Sequence, residues 1–302
     1  MRGVISIFAM PQEIDDLHLT LYNLRRNMSF IPDTVEMDLH LTFCVSDELT
    51  NWEETQLPRE FFIEKLKTIL PLADWSKNPT IHIEDGSEIL GCVSQRRKTL
   101  ELYEDYDFTL WLDTDIFFTD HTLCYSVALF DSIRGQGLDL PAIVTPEFVR
   151  QWDPTWDTLV AQEYKNEPLM FHESFDPFLL TFKNNPDKFG FRFGEYKFAG
   201  GWFTLLSNSL LKMTGVPESF GHYGLEDTFV VECSNILRNS DHSGTPVQGI
   251  VKNMVVAENY TYRCNNYLKQ MVSSKNRKEE FRAIAHKNYA SELVQFKNRM
   301  GL

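Results

Sequence analysis

The chain has 302 residues, 43% of them hydrophobic and 13% aromatic, enough to build one large α/β domain or two closely joined ones. A formal net charge of −14 argues against broad, nonspecific adhesion to nucleic acid or to an anionic membrane. No apolar run reaches the roughly 18 residues a membrane helix needs, so no membrane span is expected.

Residues 3–9 read as a first strand. The opening ten residues are a poor signal peptide, because the apolar run is brief and Glu13, Asp15 and Asp16 follow at once. Ile14, Leu17, Leu21 and Leu24 recur at helical spacing and predict a helix over 13–28. A strand over 37–45 exits into Ser46-Asp47-Glu48, a helix covers 61–70, and a short strand over 80–83 ends in Glu84-Asp85-Gly86. A helix over 94–106 leads into a buried strand over 109–112. Asp120 is a candidate N-cap for a helix over 120–133, and 141–144 is a strand.

This alternation predicts a parallel-rich α/β sheet, whose ligands bind beyond the carboxyl ends of the strands. Asp47, Glu84 and Asp113 all fall at such ends and are placed around one crevice. The second half is less regular. Residues 145–185 are loop-rich and aromatic, and Trp152 and Trp156 are either packing residues or a stacking surface for a sugar. Helices are expected at 208–213 and 225–237, a strand at 251–257, and polar helix from 273 to 300. The expected organisation is one body over 1–272, with halves 1–145 and 146–272, and a helical extension at 273–302. Five scattered cysteines without a CxxC spacing fit reduced, mostly buried thiols in a cytoplasmic protein.

The segment Leu112-Asp113-Thr114-Asp115-Ile116-Phe117-Phe118 carries the strongest chemical signal. Asp113 and Asp115 share one face at the end of an apolar strand, since strand side chains alternate. Two close carboxylates repel, and each loses hydration. A divalent cation removes both penalties, and oxygen ligands suit Mg²⁺ or Mn²⁺. The bland reading is an acidic strand end in solvent. A second segment, Gly221-His222-Tyr223-Gly224-Leu225-Glu226-Asp227, opens a helix with an acidic pair, which the helix dipole alone would favour. Between them lies Ala199-Gly200-Gly201-Trp202, where paired glycines permit either a tight turn or a close backbone approach. The basic run Ser94-Gln95-Arg96-Arg97-Lys98 is a solvated helix face on its plain reading.

In this order, the motifs resemble those of nucleotide-sugar-dependent glycosyltransferases of the A type. Leu112-Asp113-Thr114-Asp115 looks like their D-x-D motif, and Gly200-Gly201-Trp202 with Gly224-Leu225-Glu226-Asp227 looks like the Gly-Gly and Gly-x-Glu-Asp pair of inverting members. The resemblance implies a GT-A, Rossmann-like fold with a central, mostly parallel sheet flanked by helices. It implies Asp115 as a ligand of Mn²⁺ or Mg²⁺, and Asp113 as a ligand or a ribose contact. Asp227, or else Glu226, would be the general base. Gly200, Gly201 and Trp202 would shape the donor-sugar and acceptor pocket. A third metal ligand is sought at His242 or at Glu258. Asp47, Glu84 and Arg97 are weaker candidates for contacts to the donor.

The implied donor is a nucleoside-diphosphate sugar, foremost a UDP-sugar. The acceptor is left open among a saccharide, a protein, a small molecule and a modified DNA base. Two rivals remain. One is a nucleotidyltransferase on the same fold, disfavoured because Ala9-Met10-Pro11-Gln12-Glu13 has neither glycine nor base. The other is a noncatalytic sugar-nucleotide-binding protein, disfavoured because both acid pairs are intact.

Overall fold

The computed structural model describes residues 1–45, 59–77, 79–84, 91–118, 120–135, 140–149, 190–193, 200–240, 245–258 and 278–302. The strands are β1 (Arg2–Ala9), β2 (Glu36–Cys44), β3 (Thr80–Glu84), β4 (Phe108–Leu112), β5 (Ile116–Phe118), β6 (Ala142–Val149), β7 (Gly190–Phe193), β8 (Phe203–Ser207) and β9 (Val247–Glu258). The helices are α1 (Ile14–Met28), α2 (Arg59–Ile69), α3 (Cys92–Leu102), α4 (Thr122–Arg134), α5 (Asn208–Thr214), α6 (Glu226–Asn239) and α7 (Lys278–Met300).

All these strands join one sheet in the order β3-β2-β1-β4-β8-β6-β9-β5, with β7 paired to β9. The β3-β2-β1-β4 block is parallel throughout, as the βα alternation requires. Beyond it the sheet is mixed: β8 runs antiparallel between β4 and β6, β6 and β9 are parallel, and β5 and β7 run antiparallel to β9. The prediction of a helix-flanked sheet therefore holds, and its parallel character is confined to the first half and the β6–β9 pair. β8 follows the Gly-Gly-Trp turn but leads straight into α5, so no turn residue marks its end. β5 is too short to display an alternation.

Strand β4 shows how the layers form. All five of its residues are buried, so it is covered on both faces. Leu110 and Leu112 face a core with Leu17 and Leu21 of α1, Phe62 and Leu66 of α2, and Leu123 and Val127 of α4. Trp111 faces the opposite core, shared by Val93 of α3, Leu210 of α5, Phe229 of α6 and Phe296 of α7. The result is three layers, helix on sheet on helix. Beneath α3 the packing is polar: Ser6, Gln95, Thr99 and His40 bond one another at 2.7–3.1 Å. Burial and the nearby Lys98 and His82 push the His40 imidazole down to about 4, so it is neutral in this network.

Two helix starts differ from expectation. α4 begins at Thr122 with His121 in a left-handed turn (φ 69°), and Asp120 instead pairs with Arg26 at 2.5 Å. α3 begins at Cys92 and ends at Leu102. The expected C-terminal extension is packed into the body. In α7, Phe281, Ala285 and Phe296 are buried, and Asn288 Nδ2 donates to the Ser219 carbonyl at 2.7 Å. Phe296→Ala should cost about 3–5 kcal/mol of stability, read as a lower denaturant midpoint; an unchanged midpoint would make α7 dispensable to the fold. Among the described residues no helix is long and apolar enough to cross a membrane. Cys44, Cys92, Cys124 and Cys233 are free thiols.

Candidate active site

The carboxyl ends of β1 and β4 open into a pocket of about 60 Å³ lined by Phe8, Met10, Glu13, Cys92, Asp113, Thr114, Asp115 and Tyr223. The chain leaving β4 is held at two points of its backbone, one by backbone and one by a side chain. The Asp113 N–H donates to the Trp202 carbonyl at 3.1 Å, and Thr20 Oγ1 donates to the Thr114 carbonyl at 2.6 Å. Asp115 is 5% exposed, with its Oδ2 sealed from solvent. Asp113 reaches solvent with 44% of its side chain. Even so, burial by the pocket walls, then Asp115, Asp227 and Glu13, push its carboxyl up to about 7 against the opposing pull of Arg96.

Arg96 organises the floor of this site and is not part of a solvated face. It is 5% exposed, with its guanidinium 4.6 Å from the centre of the Trp111 ring. Nη1 pairs with Glu226 Oε1, while Nη2 lies 3.4 Å from Asp113 Oδ1 and 3.3 Å from the Gly201 carbonyl. Burial opposes its charge, but Cys92, Glu226, Asp113 and Asp227 together raise its pKa above the ordinary arginine value, so it stays a cation. The ion pairs to Asp113 and Glu226 come from Arg96 and not from Arg97, which is half-buried with Nη1 unpartnered among the described residues.

Helix α6 brings the second acid pair to the same place. Gly224 (φ 101°) and Leu225 (φ 68°) are both left-handed and turn the chain sharply into the helix. Glu226 follows, 2% exposed and locked against Arg96, and also accepts from Cys92 Sγ at 3.0 Å. Burial, then the charges of Glu226 and Asp113, hold the Cys92 thiol well above its usual pKa, so it acts as a neutral donor. Asp227 is half-buried: Oδ2 accepts from the Gly201 N–H at 2.9 Å and Oδ1 from the Thr228 N–H at 2.6 Å.

The Gly-Gly pair is here a close approach. A Cβ on Gly201 would lie 2.1 Å from Arg96 Nη2, and one on Gly200 would lie 2.1 Å from the Trp202 ring. Gly201→Ala should therefore dislodge Arg96, costing about 1–3 kcal/mol by overpacking and most of the activity. A variant of wild-type melting temperature and activity would show that the guanidinium can move aside freely.

Other predicted site residues have varied positions. Glu258 ends β9, and its backbone pairs with Ile116, the residue after Asp115. Glu84 ends the edge strand β3, opposite Cys44. Trp202 is half-buried beside Gly201. Asp47, His242, Trp152 and Trp156 lie outside the described residues. For a metal, the fit rests on two hard carboxylates, Asp113 and Asp115, on one pocket. Among the described residues no group of three His, Cys, Asp or Glu side chains is placed to hold one. Arg96, Glu13 and Cys92 were not singled out from the sequence. Arg96 is disguised by two basic neighbours, and the helical spacing Val93, Arg96, Thr99 was the available signal. Glu13 Oε2 accepts from the Met10 N–H at 3.0 Å, closing the turn after β1.

No protein-family model and no curated protein matches the chain. Among solved structures it is similar to S. aureus TarS (TM-score 0.49, 14% identity, covering 87% of this chain and 37% of that one). It is also similar to S. aureus TarS 1-349 in complex with UDP-GlcNAc (TM-score 0.46, 14% identity, 84% and 58% covered). A third likeness is to GalNAc-T7 with UDP, GalNAc and Mn²⁺ (TM-score 0.47, 11% identity, 86% and 44% covered). The chain spans less than two thirds of each of these three proteins.

Proposed function

We propose that this protein is a metal-dependent glycosyltransferase that moves a sugar from a nucleoside-diphosphate donor, foremost a UDP-sugar, to an acceptor hydroxyl with inversion. The observation that carries the reading is Arg96, which joins Asp113, in the pocket lining, to Glu226 and so draws acid pairs from distant parts of the chain into one cluster. Such a site needs one acid pair for the donor and another for the acceptor. Mg²⁺ or Mn²⁺ on Asp113 and Asp115 would offset charge on the departing diphosphate.

Asp227 is the general base. Two backbone N–H partners fix its orientation: Oδ1 accepts from both the N–H and Oγ1 of Thr228, while Oδ2, which accepts from the Gly201 N–H, retains a lone pair for an acceptor hydroxyl. The acceptor oxygen forms a bond to the sugar's anomeric carbon as the bond to the phosphate oxygen breaks. The electron pair leaves with the nucleoside diphosphate, and the acceptor proton passes to Asp227. Glu226 is occupied by Arg96 and Cys92 and serves to hold the helix start. Asp47, Glu84 and Trp202 remain candidates for donor contacts, and Glu258 and His242 for the third metal ligand. The free thiols support a cytoplasmic setting.

A thermal-shift screen of UDP, GDP, CDP and ADP, each with and without Mn²⁺, tests the donor. A ligand of the folded state raises the melting temperature by mass action. One nucleotide is expected to do so, and only with the metal. No shift with any of them would sink the donor assignment.

A further inference from the structure

We infer that Arg96 is the positioning residue for the base, holding the Asp227 carboxylate in register with Asp113. This assignment rests on the transferase reading for its catalytic meaning, but its geometry stands alone. Two routes lead from the guanidinium to Asp227, and each passes through a single residue. Along the first, Nη2 lies 3.3 Å from the Gly201 carbonyl, and the N–H of the same glycine donates to Asp227 Oδ2 at 2.9 Å. Along the second, Nη1 holds Glu226, the residue immediately before Asp227 in α6. The same Nη2 lies 3.4 Å from Asp113 Oδ1, on the donor side.

The return path is closed as well. The Asp113 N–H donates to the Trp202 carbonyl at 3.1 Å, so the segment that binds Asp227 is also hung on the D-x-D backbone. The planar fork of arginine can serve three acceptors in one plane while stacked on Trp111, 4.6 Å away. A lysine ammonium has no such fork. Gly201 has to be a glycine for this contact, because a Cβ there would stand 2.1 Å from Nη2. The Gly-Gly pair is thus the space that lets Arg96 reach across to the base.

Arg96→Lys tests this with two readouts. Gly200-Gly201 is the sole Gly-Gly pair in the chain, so labelling glycine with ¹³C-carbonyl and ¹⁵N gives one coupled amide signal, that of Gly201. In the lysine variant this amide should shift and lose protection from exchange, while the Gly3 and Gly135 amides stay put as a check on folding. The kcat should fall about 100-fold, the scale of a misplaced catalytic group, with the donor KM changed by less than about twofold. Combined with Asp227→Asn, the lysine substitution should cost almost nothing more, because both remove the same service.

If Arg96→Lys does not fold, Glu226→Gln replaces it. That variant keeps the contact to Gly201 but loosens α6, and the Gly201 amide and kcat should move in the same directions. An unmoved Gly201 amide in a folded variant, or a full additional loss in the double variant, overturns the positioning role. If the Gly201 amide moves in the variant but the wild-type protein transfers no sugar, the positioning role is upheld and the transferase reading is overturned instead.

Discussion

Asp227→Asn is expected to abolish sugar transfer, lowering kcat by at least about 10³-fold, while metal-dependent nucleotide binding persists. The substitution is isosteric. An asparagine Oδ1 can still accept the Gly201 N–H that Asp227 takes at 2.9 Å, so the Gly-Gly-Trp segment need not move. What vanishes is the basicity that the proposed mechanism uses to remove the acceptor proton. Asp227→Ala would be a poorer probe, since it strips the partner of the Gly201 amide as well as that of the Thr228 amide, which the asparagine Nδ2 already gives up. Single-turnover assays with saturating donor would isolate the step. An Asn variant that transfers at a tenth of the wild-type rate would exclude Asp227 as the base. Loss of nucleotide binding instead would place Asp227 on the donor side.

The parts of this site that were legible from sequence share a physical property: their local pattern conflicts with a simple packing role. An apolar strand that ends in Asp113 and Asp115 needs something to offset the charge, whereas α1, in the fold and not the site, is legible as plain packing, because Ile14, Leu17, Leu21 and Leu24 all face one core. Arg96 was hidden for the converse reason. Helix α3 buries Ser94, Gln95, Arg96 and Thr99, a polar inner face that inverts the usual rule, and Arg97 and Lys98 make the run look solvated. The Glu226-Asp227 pair was legible as a pair but not in its division of labour. Helix-start geometry sends Glu226 inward to Arg96 and leaves Asp227 half-open, and no propensity encodes that choice. Strand β8 shows the same limit at the level of the fold. Phe203–Ser207 becomes a central strand because its neighbours β4 and β6 cover it, through partners separated widely in sequence.

Removing the metal-side acids should have the second-largest effect, and its pH dependence has a definite sign. Asp115→Asn is expected to erase the metal-dependent rise in melting temperature with nucleotide, because an amide would replace the buried carboxyl group proposed as a metal ligand. Asp113 adds the pH dependence. Burial, with Asp115, Asp227 and Glu13, pushes its carboxyl up to about 7, so below neutrality a cation must first displace a proton. Apparent Mn²⁺ affinity should then fall by up to about tenfold per pH unit below 7. The sign for the metal-free protein runs the other way. A carboxyl whose folded pKa is raised lends stability below its ordinary range, and that contribution is lost as the pH climbs through about 7. Solvent reaches 44% of the Asp113 side chain, which screens the size of this term but not its direction. The gap between metal-bound and metal-free melting temperatures should therefore widen from about pH 5.5 to about pH 8. Asp113→Asn should flatten that dependence even if Asp115 still holds some metal. A wild-type gap that is constant across the range would show that Asp113 is ionised throughout, leaving Arg96 as the stronger influence on it.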